Sequence, residues 1–90
     1  MGHTLPLGRI VATPGALELL GNVGEDPRTL LARHASGDWG ELDAHDRREN
    51  MLSLKHGWRV ISSYPVGEGK VWIITEADRS VTTILLPEEY

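Results

Sequence analysis

The four histidines are the side chains of this 90-residue chain whose ordinary pKa lies near neutrality, so proton transfer is sought there first. His3 is discounted as terminal. His34 immediately precedes the loop Gly37-Asp38-Trp39-Gly40 and is the candidate general acid or base; the plainer alternative is a ring nitrogen that satisfies a loop carbonyl. His45 and Glu49 stand four apart on one helical face, a spacing that suits a metal such as zinc. Zinc takes about three protein ligands and no third is identifiable, so the pair reads as a solvated helix face and no metal site is expected. His56 beside Gly57 suits a cation at the carbonyl end of a helix.

The densest run of functional side chains is Thr75-Glu76-Ala77-Asp78-Arg79-Ser80-Val81-Thr82-Thr83. With Arg79 at a hairpin tip and Ser80 and Thr82 on one strand face, a planar cation and two hydroxyls could meet a phosphate or carboxylate. The structural alternative has Asp78 closing an Asx turn, Glu76 pairing with Arg79, and the threonines serving as strand formers. A second basic group, Arg47, Arg48, Lys55, His56 and Arg59, falls within thirteen positions and offers a possible phosphate patch; neutralisation by Asp46 and Glu49 is the competing expectation. The candidate binding residues are thus Arg47, Arg48, Lys55, Arg59, Asp78 and Ser80, and the candidate catalytic ones His34, Arg79 and Thr82. Gly21-Asn22-Val23-Gly24 lacks both the lysine and the preceding strand of a phosphate loop, and no Gly-x-Ser-x-Gly elbow occurs. No cofactor is implied. Trp39, Trp58 and Trp72 are read as the aromatic part of the core.

Positioning these groups requires a single small domain, because 90 residues build one core and no more. The chain has no cysteine, which removes disulfides, thiolate metal sites and cysteine nucleophiles together and fits a reducing, cytoplasmic compartment. Its net charge of −4 is uneven: residues 1–45 carry 3 basic against 6 acidic residues, and residues 46–90 carry 6 against 7. A global nucleic-acid footprint is therefore disfavoured and a local one is not. No apolar run approaches the roughly 18 residues of a membrane span, so no membrane contact is expected.

Residues 7–12 form a strand candidate, with residues 1–6 expected to be disordered or foreign to the natural chain. Thr13-Pro14 starts a helix to about Leu20 with Gly21 as its stop, and Asp26-Pro27 starts a second that ends near Gly37. A third runs from Ala44 to His56, capped by Asp43 with Asp46 three places on, and its apolar stripe is Ala44, Met51, Leu52 and Leu54. Three β-branched segments follow: 58–64, 71–75 and 81–86, with Pro65 to Lys70 and Glu76 to Arg79 as turns. The expectation is an α+β domain with a short N-terminal strand, three helices and a three-stranded antiparallel meander whose middle strand is central. The last strand, ending at Leu86, is a candidate exposed edge, and the chain is a monomer or homodimer.

Three stretches, Arg9-Ile10-Val11-Ala12-Thr13-Pro14-Gly15-Ala16, Arg33-His34-Ala35-Ser36-Gly37-Asp38-Trp39-Gly40 and Trp72-Ile73-Ile74-Thr75-Glu76-Ala77-Asp78-Arg79-Ser80, resemble a family of small bacterial proteins associated with plasmids and integrative elements. That resemblance spans nearly the whole chain but supplies no established activity to carry over; the expectation is an accessory or binding module of a mobile element, with a protein or nucleic-acid partner. The layout of helices before a terminal meander is also similar to barnase–EndoU–RelE-type ribonucleases. This second resemblance implies metal-independent RNA cleavage with His34 as acid or base, Arg79 as phosphate clamp, and Thr82 or Ser80 as orienting hydroxyl. Those enzymes are usually basic, whereas this chain is acidic.

Overall fold

The computed structural model describes residues 4–90 and shows an α+β fold. The expectations for His3 and the first three positions lie outside the described residues. Strand β1 (Arg9–Ala12) leads into helix α1 (Pro14–Val23), followed by α2 (Pro27–Ala35), α3 (Ala44–His56), β2 (Val60–Val66), β3 (Gly69–Thr75), β4 (Val81–Leu85) and a 3₁₀ turn, Pro87–Glu89.

Local chemistry sets the helix ends. The side chains of Thr13, Asp26 and Asp43 accept from the amides of Ala16, Arg28 and Asp46, and Pro14 and Pro27 occupy first-turn positions where no amide is missed. α1 passes through Gly21, the expected stop, because Gly24 is the residue that takes the left-handed conformation (φ 77°) and returns its N–H to the carbonyls of Leu20 and Gly21. Gly57 (φ 77°) ends α3 in the same way.

The expected meander is present: β2 pairs with β3 and β3 with β4, both antiparallel. The expected turn at Pro65 to Lys70 contracts to Gly67-Glu68. Pro65 is a strand residue paired with Lys70, which an edge strand tolerates, and Gly67 (φ 59°) supplies the positive φ of a two-residue hairpin turn. β1 adds to the far side of β4 in parallel, giving the order β1-β4-β3-β2. The candidate edge is thereby corrected: β4 is interior, and the edges are β1 and β2.

The register aligns Ala12, Ile84, Ile73 and Ser62 across the sheet, and Ile10, Thr82, Thr75 and Val60 in the neighbouring row. On that face Val71, Ile73, Ile84, Tyr64 and Val66 meet Ala16 and Leu20 of α1 and Leu30 of α2. Each such aliphatic burial is worth roughly 1.5–3 kcal/mol before entropy. A second cluster joins Leu5, Trp39 and Val60, with Leu7 and Leu42 packed against it. Leu5 is buried and its N–H donates to Ala35 O at 2.9 Å, so positions 4–6 belong to the folded domain, contrary to the expectation of disorder there. Of the tryptophans, Trp39 is core, whereas Trp58 is exposed and stacks on His56 with ring centroids 4.9 Å apart.

Candidate functional site

His34 stands in the last turn of α2, where the helix lays it on the sheet between β2 and β3. It is fully buried, at 0% exposure. Nδ1 lies 2.5 Å from Ser62 Oγ and Nε2 lies 2.9 Å from Thr75 Oγ1; Thr75 Oγ1 lies 2.7 Å from Thr82 Oγ1, and Thr82 donates to Leu7 O at 2.7 Å. The direction of this chain follows from its last link. Each hydroxyl has one proton, and that of Thr82 goes to a carbonyl, so Thr75 must donate to Thr82 and accept from Nε2–H. Nδ1 is then the unprotonated nitrogen and accepts from Ser62. One neutral imidazole thus connects α2 to β2, β3, β4 and the segment before β1. Burial pushes its pKa from 6.5 down to about 4, because the charged form would sit in low dielectric with no anionic partner.

The loop beside it is fastened separately. Arg33 grips Asp38 with Nε to Oδ2 at 2.7 Å and Nη2 to Oδ1 at 3.3 Å, and its guanidinium lies over the Tyr64 ring at 4.5 Å. The Arg33 contact holds the Asp38 carboxyl below the usual carboxylate range. Tyr64 donates to Asp38 O at 2.5 Å, and burial pushes its phenol upward. Every buried side-chain nitrogen and oxygen among the described residues has a hydrogen-bond partner.

Arg79 does not join this chain. It is the one described non-glycine residue at positive φ (62°), a conformation that costs a side-chain-bearing residue about 1 kcal/mol. Its guanidinium donates to Trp58 O at 2.6 Å, Glu76 O at 3.2 Å and Ser53 O at 3.3 Å. The hairpin tip therefore places a cation on the carbonyl end of α3. Asp78 accepts from the Ser80 amide at 3.0 Å and hydroxyl at 2.6 Å, the expected Asx turn; these bonds keep its carboxyl below the usual range. The polar run 75–83 is thus divided: Thr75 and Thr82 lie in the buried chain, Arg79 caps α3, and Asp78 and Ser80 close the turn.

The basic residues lie on α3 and just beyond it. Arg47 donates to Leu42 O at 3.0 Å and Gly40 O at 2.9 Å, and the Arg59 guanidinium stands 5.4 Å from the Tyr90 ring centre. Among the described residues the ion pairs are Arg28–Asp26 and Arg33–Asp38. The expected neutralisation of Arg47 and Arg48 by Asp46 and Glu49 does not form. His45 and Glu49 line a surface depression with Asp46 and Arg59, and among the described residues no group of three potential metal ligands assembles.

α3 holds what the sequence concealed. Its buried residues are Asn50 and Ser53, while Met51 is 65% and Leu54 49% exposed, with Leu52 and Ala44 also outward. The expected apolar stripe is inverted. Asn50 Nδ2 donates to Ile61 O at 2.7 Å and Oδ1 accepts from Ile61 N at 3.1 Å, so an amide side chain takes the place of a neighbouring strand. Alongside it, Trp39 O accepts from Ser63 N at 3.0 Å and Glu41 N donates to Ser63 O at 2.7 Å. The outer edge of β2 is closed by these groups. The available signal was polar residues three apart, Asn50 and Ser53, inside a helix whose apolar positions do not form a clean stripe. Met51 and Leu54 line a cavity of about 260 Å³ with Leu5, Ala35 and Trp39. Compared with known proteins, the chain matches no family model, no curated protein and no solved structure.

Proposed function

We propose that this protein is a non-catalytic binding module that docks a protein partner on the exposed apolar side chains of α3 and the cavity beside them, as a cytoplasmic accessory protein of a bacterial mobile element. The observation that carries the reading is the exposure of apolar side chains on α3: Met51, Leu52 and Leu54 reach solvent, Met51 and Leu54 at the mouth of the cavity they share with Leu5 and Trp39, while Asn50 and Ser53 are buried. A surface helix ordinarily gains its stability by burying its apolar side chains. Here polar anchors hold the helix: the Asn50 clamp, the Arg79 cap, the Arg47 bonds to the preceding loop and the Asp43 N-cap. The apolar side chains are left to a partner. Arg48 and Lys55 flank them and no ion pair occupies either among the described residues, so the fitting partner segment is apolar and acidic.

The buried state of His34 favours the binding module over the ribonuclease-like alternative built on His34, Arg79 and Thr82. A general base must reach the proton that it removes, and both ring nitrogens of His34 are engaged inside the core.

The test is site-specific photo-crosslinking in the native host. A crosslinker at position 51 or 54 should give one discrete protein adduct, absent when it is placed at Glu18 of α1 and lost on adding Leu54→Asp. Purified protein should leave labelled RNA intact in EDTA. Absence of a discrete adduct at both positions, or RNA cleavage abolished by His34→Gln, refutes the reading.

A further inference from the structure

We propose that the outer edge of β1 is a self-association site, at which two copies pair their β1 strands antiparallel about a two-fold axis at Val11 and join their sheets into one. Backbone alternation supplies the geometry. Arg9 N donates to Ser80 O at 2.9 Å and Thr13 N to Ile84 O at 3.0 Å, so positions 9, 11 and 13 bond to β4. The N–H and C=O groups of Ile10 and Ala12 consequently point away from the sheet. Among the described residues nothing bonds to them: Ile10 is 42% and Val11 36% exposed, and the strand lacks the proline, bulge or inward charge that usually protects an edge.

A second copy is the occupant that fits. With the axis at Val11, Ile10 of one copy faces Ala12 of the other, and the two pairs exchange about four backbone hydrogen bonds. Val11 meets its own counterpart on the sheet face opposite α1. Arg9 comes opposite Thr13 of the second copy, whose hydroxyl donates to Glu89 Oε1 at 2.5 Å. Arg9 has no ion pair among the described residues, so each copy offers a cation where the other holds a carboxylate. Among the positions paired by this axis no like charges face each other. The opposite edge is closed by Asn50 and the loop 39–41, so pairing at β1 ends in a dimer and does not propagate into a fibre.

Sedimentation velocity over a concentration series tests this directly. The wild type should pass from 9.9 kDa to twice that mass with a dissociation constant on the order of 10–100 µM, as suits a small interface. Ile10→Pro removes an outward N–H that no intrachain strand uses; it should remain monomeric with unchanged circular dichroism. Arg9→Glu should weaken the dimer roughly three- to tenfold. In the wild type, amide exchange at Ile10 and Ala12 should slow as concentration rises, a readout independent of any variant. A wild type that stays at 9.9 kDa up to about 1 mM, a dimer that persists in Ile10→Pro, or exchange at Ile10 and Ala12 that ignores concentration overturns the proposal.

Discussion

Acid should destabilise this protein through His34 in a pH window set by its burial. The unfolded chain binds a proton at an imidazole pKa near 6.5, whereas the folded chain does not do so until about pH 4. A histidine with a depressed folded pKa contributes stability that is fully present above 6.5, declines as pH falls, and is gone below about 4. The gap of about 2.5 pH units, at roughly 1.4 kcal/mol per unit, amounts to about 3.5 kcal/mol. Small domains unfold at roughly 5–15 kcal/mol, so this is a large share of the total. Urea denaturation at pH 7.5, 6, 5 and 4.5 measures it, with His34→Gln as the reference that cannot titrate. The variant should be less stable at pH 7.5 yet nearly flat between pH 6.5 and 4.5, where the wild type falls by up to about 1.4 kcal/mol per unit. The Arg33-bound Asp38 carboxyl and the Ser80-bound Asp78 carboxyl also lose stabilising contacts as pH drops, but at lower pH and equally in both proteins, so the difference isolates His34. The ring resonances of His34 in the wild type give a second measure. Titration of that ring between pH 6 and 7, or parallel pH profiles for the two proteins, would refute the reasoning.

Further substitutions separate the anchors of α3 from the apolar side chains it exposes. Asn50→Ala removes both bonds to the Ile61 backbone and should cost about 2 kcal/mol in chemical denaturation while exposing the β2 edge, which turbidity on gentle heating should register. Arg79→Ala should destabilise by about 2 kcal/mol because the strained φ stays and the bonds to Ser53 and Trp58 go; Arg79→Gly should recover about 1 kcal/mol of that by relieving the strain, and equal losses would contradict the account of its backbone. Met51→Gln and Leu54→Gln should each change stability by less than about 0.5 kcal/mol while abolishing the crosslinked adduct, whereas Leu20→Ala in the core should cost about 3 kcal/mol in the same assay.

The local half of this structure was legible in the residues themselves. Thr13-Pro14, Asp26-Pro27, Asp43 and Gly57 mark helix ends because caps act within one turn of the chain, and α2 and α3 run between the expected residues. The meander was legible because β-branched runs separated by short turns pair with their neighbours. His34, Thr82 and the polar hairpin stand out in the sequence by residue type, but their partners are not readable there. The bonds of His34 reach 28 and 41 positions along the chain, and Arg79 meets Ser53 across 26. Such pairings depend on which strands lie side by side, and no local preference encodes that. The same holds for β1, whose placement beside β4 turns the last strand into an interior one and leaves an open edge at the other end of the chain. On α3, composition alone suggests that the apolar side chains turn inward. The tertiary structure reversed this, because the free backbone of Ile61 at the β2 edge needs a hydrogen-bonding amide beside it, and Asn50 supplies both of the groups it requires.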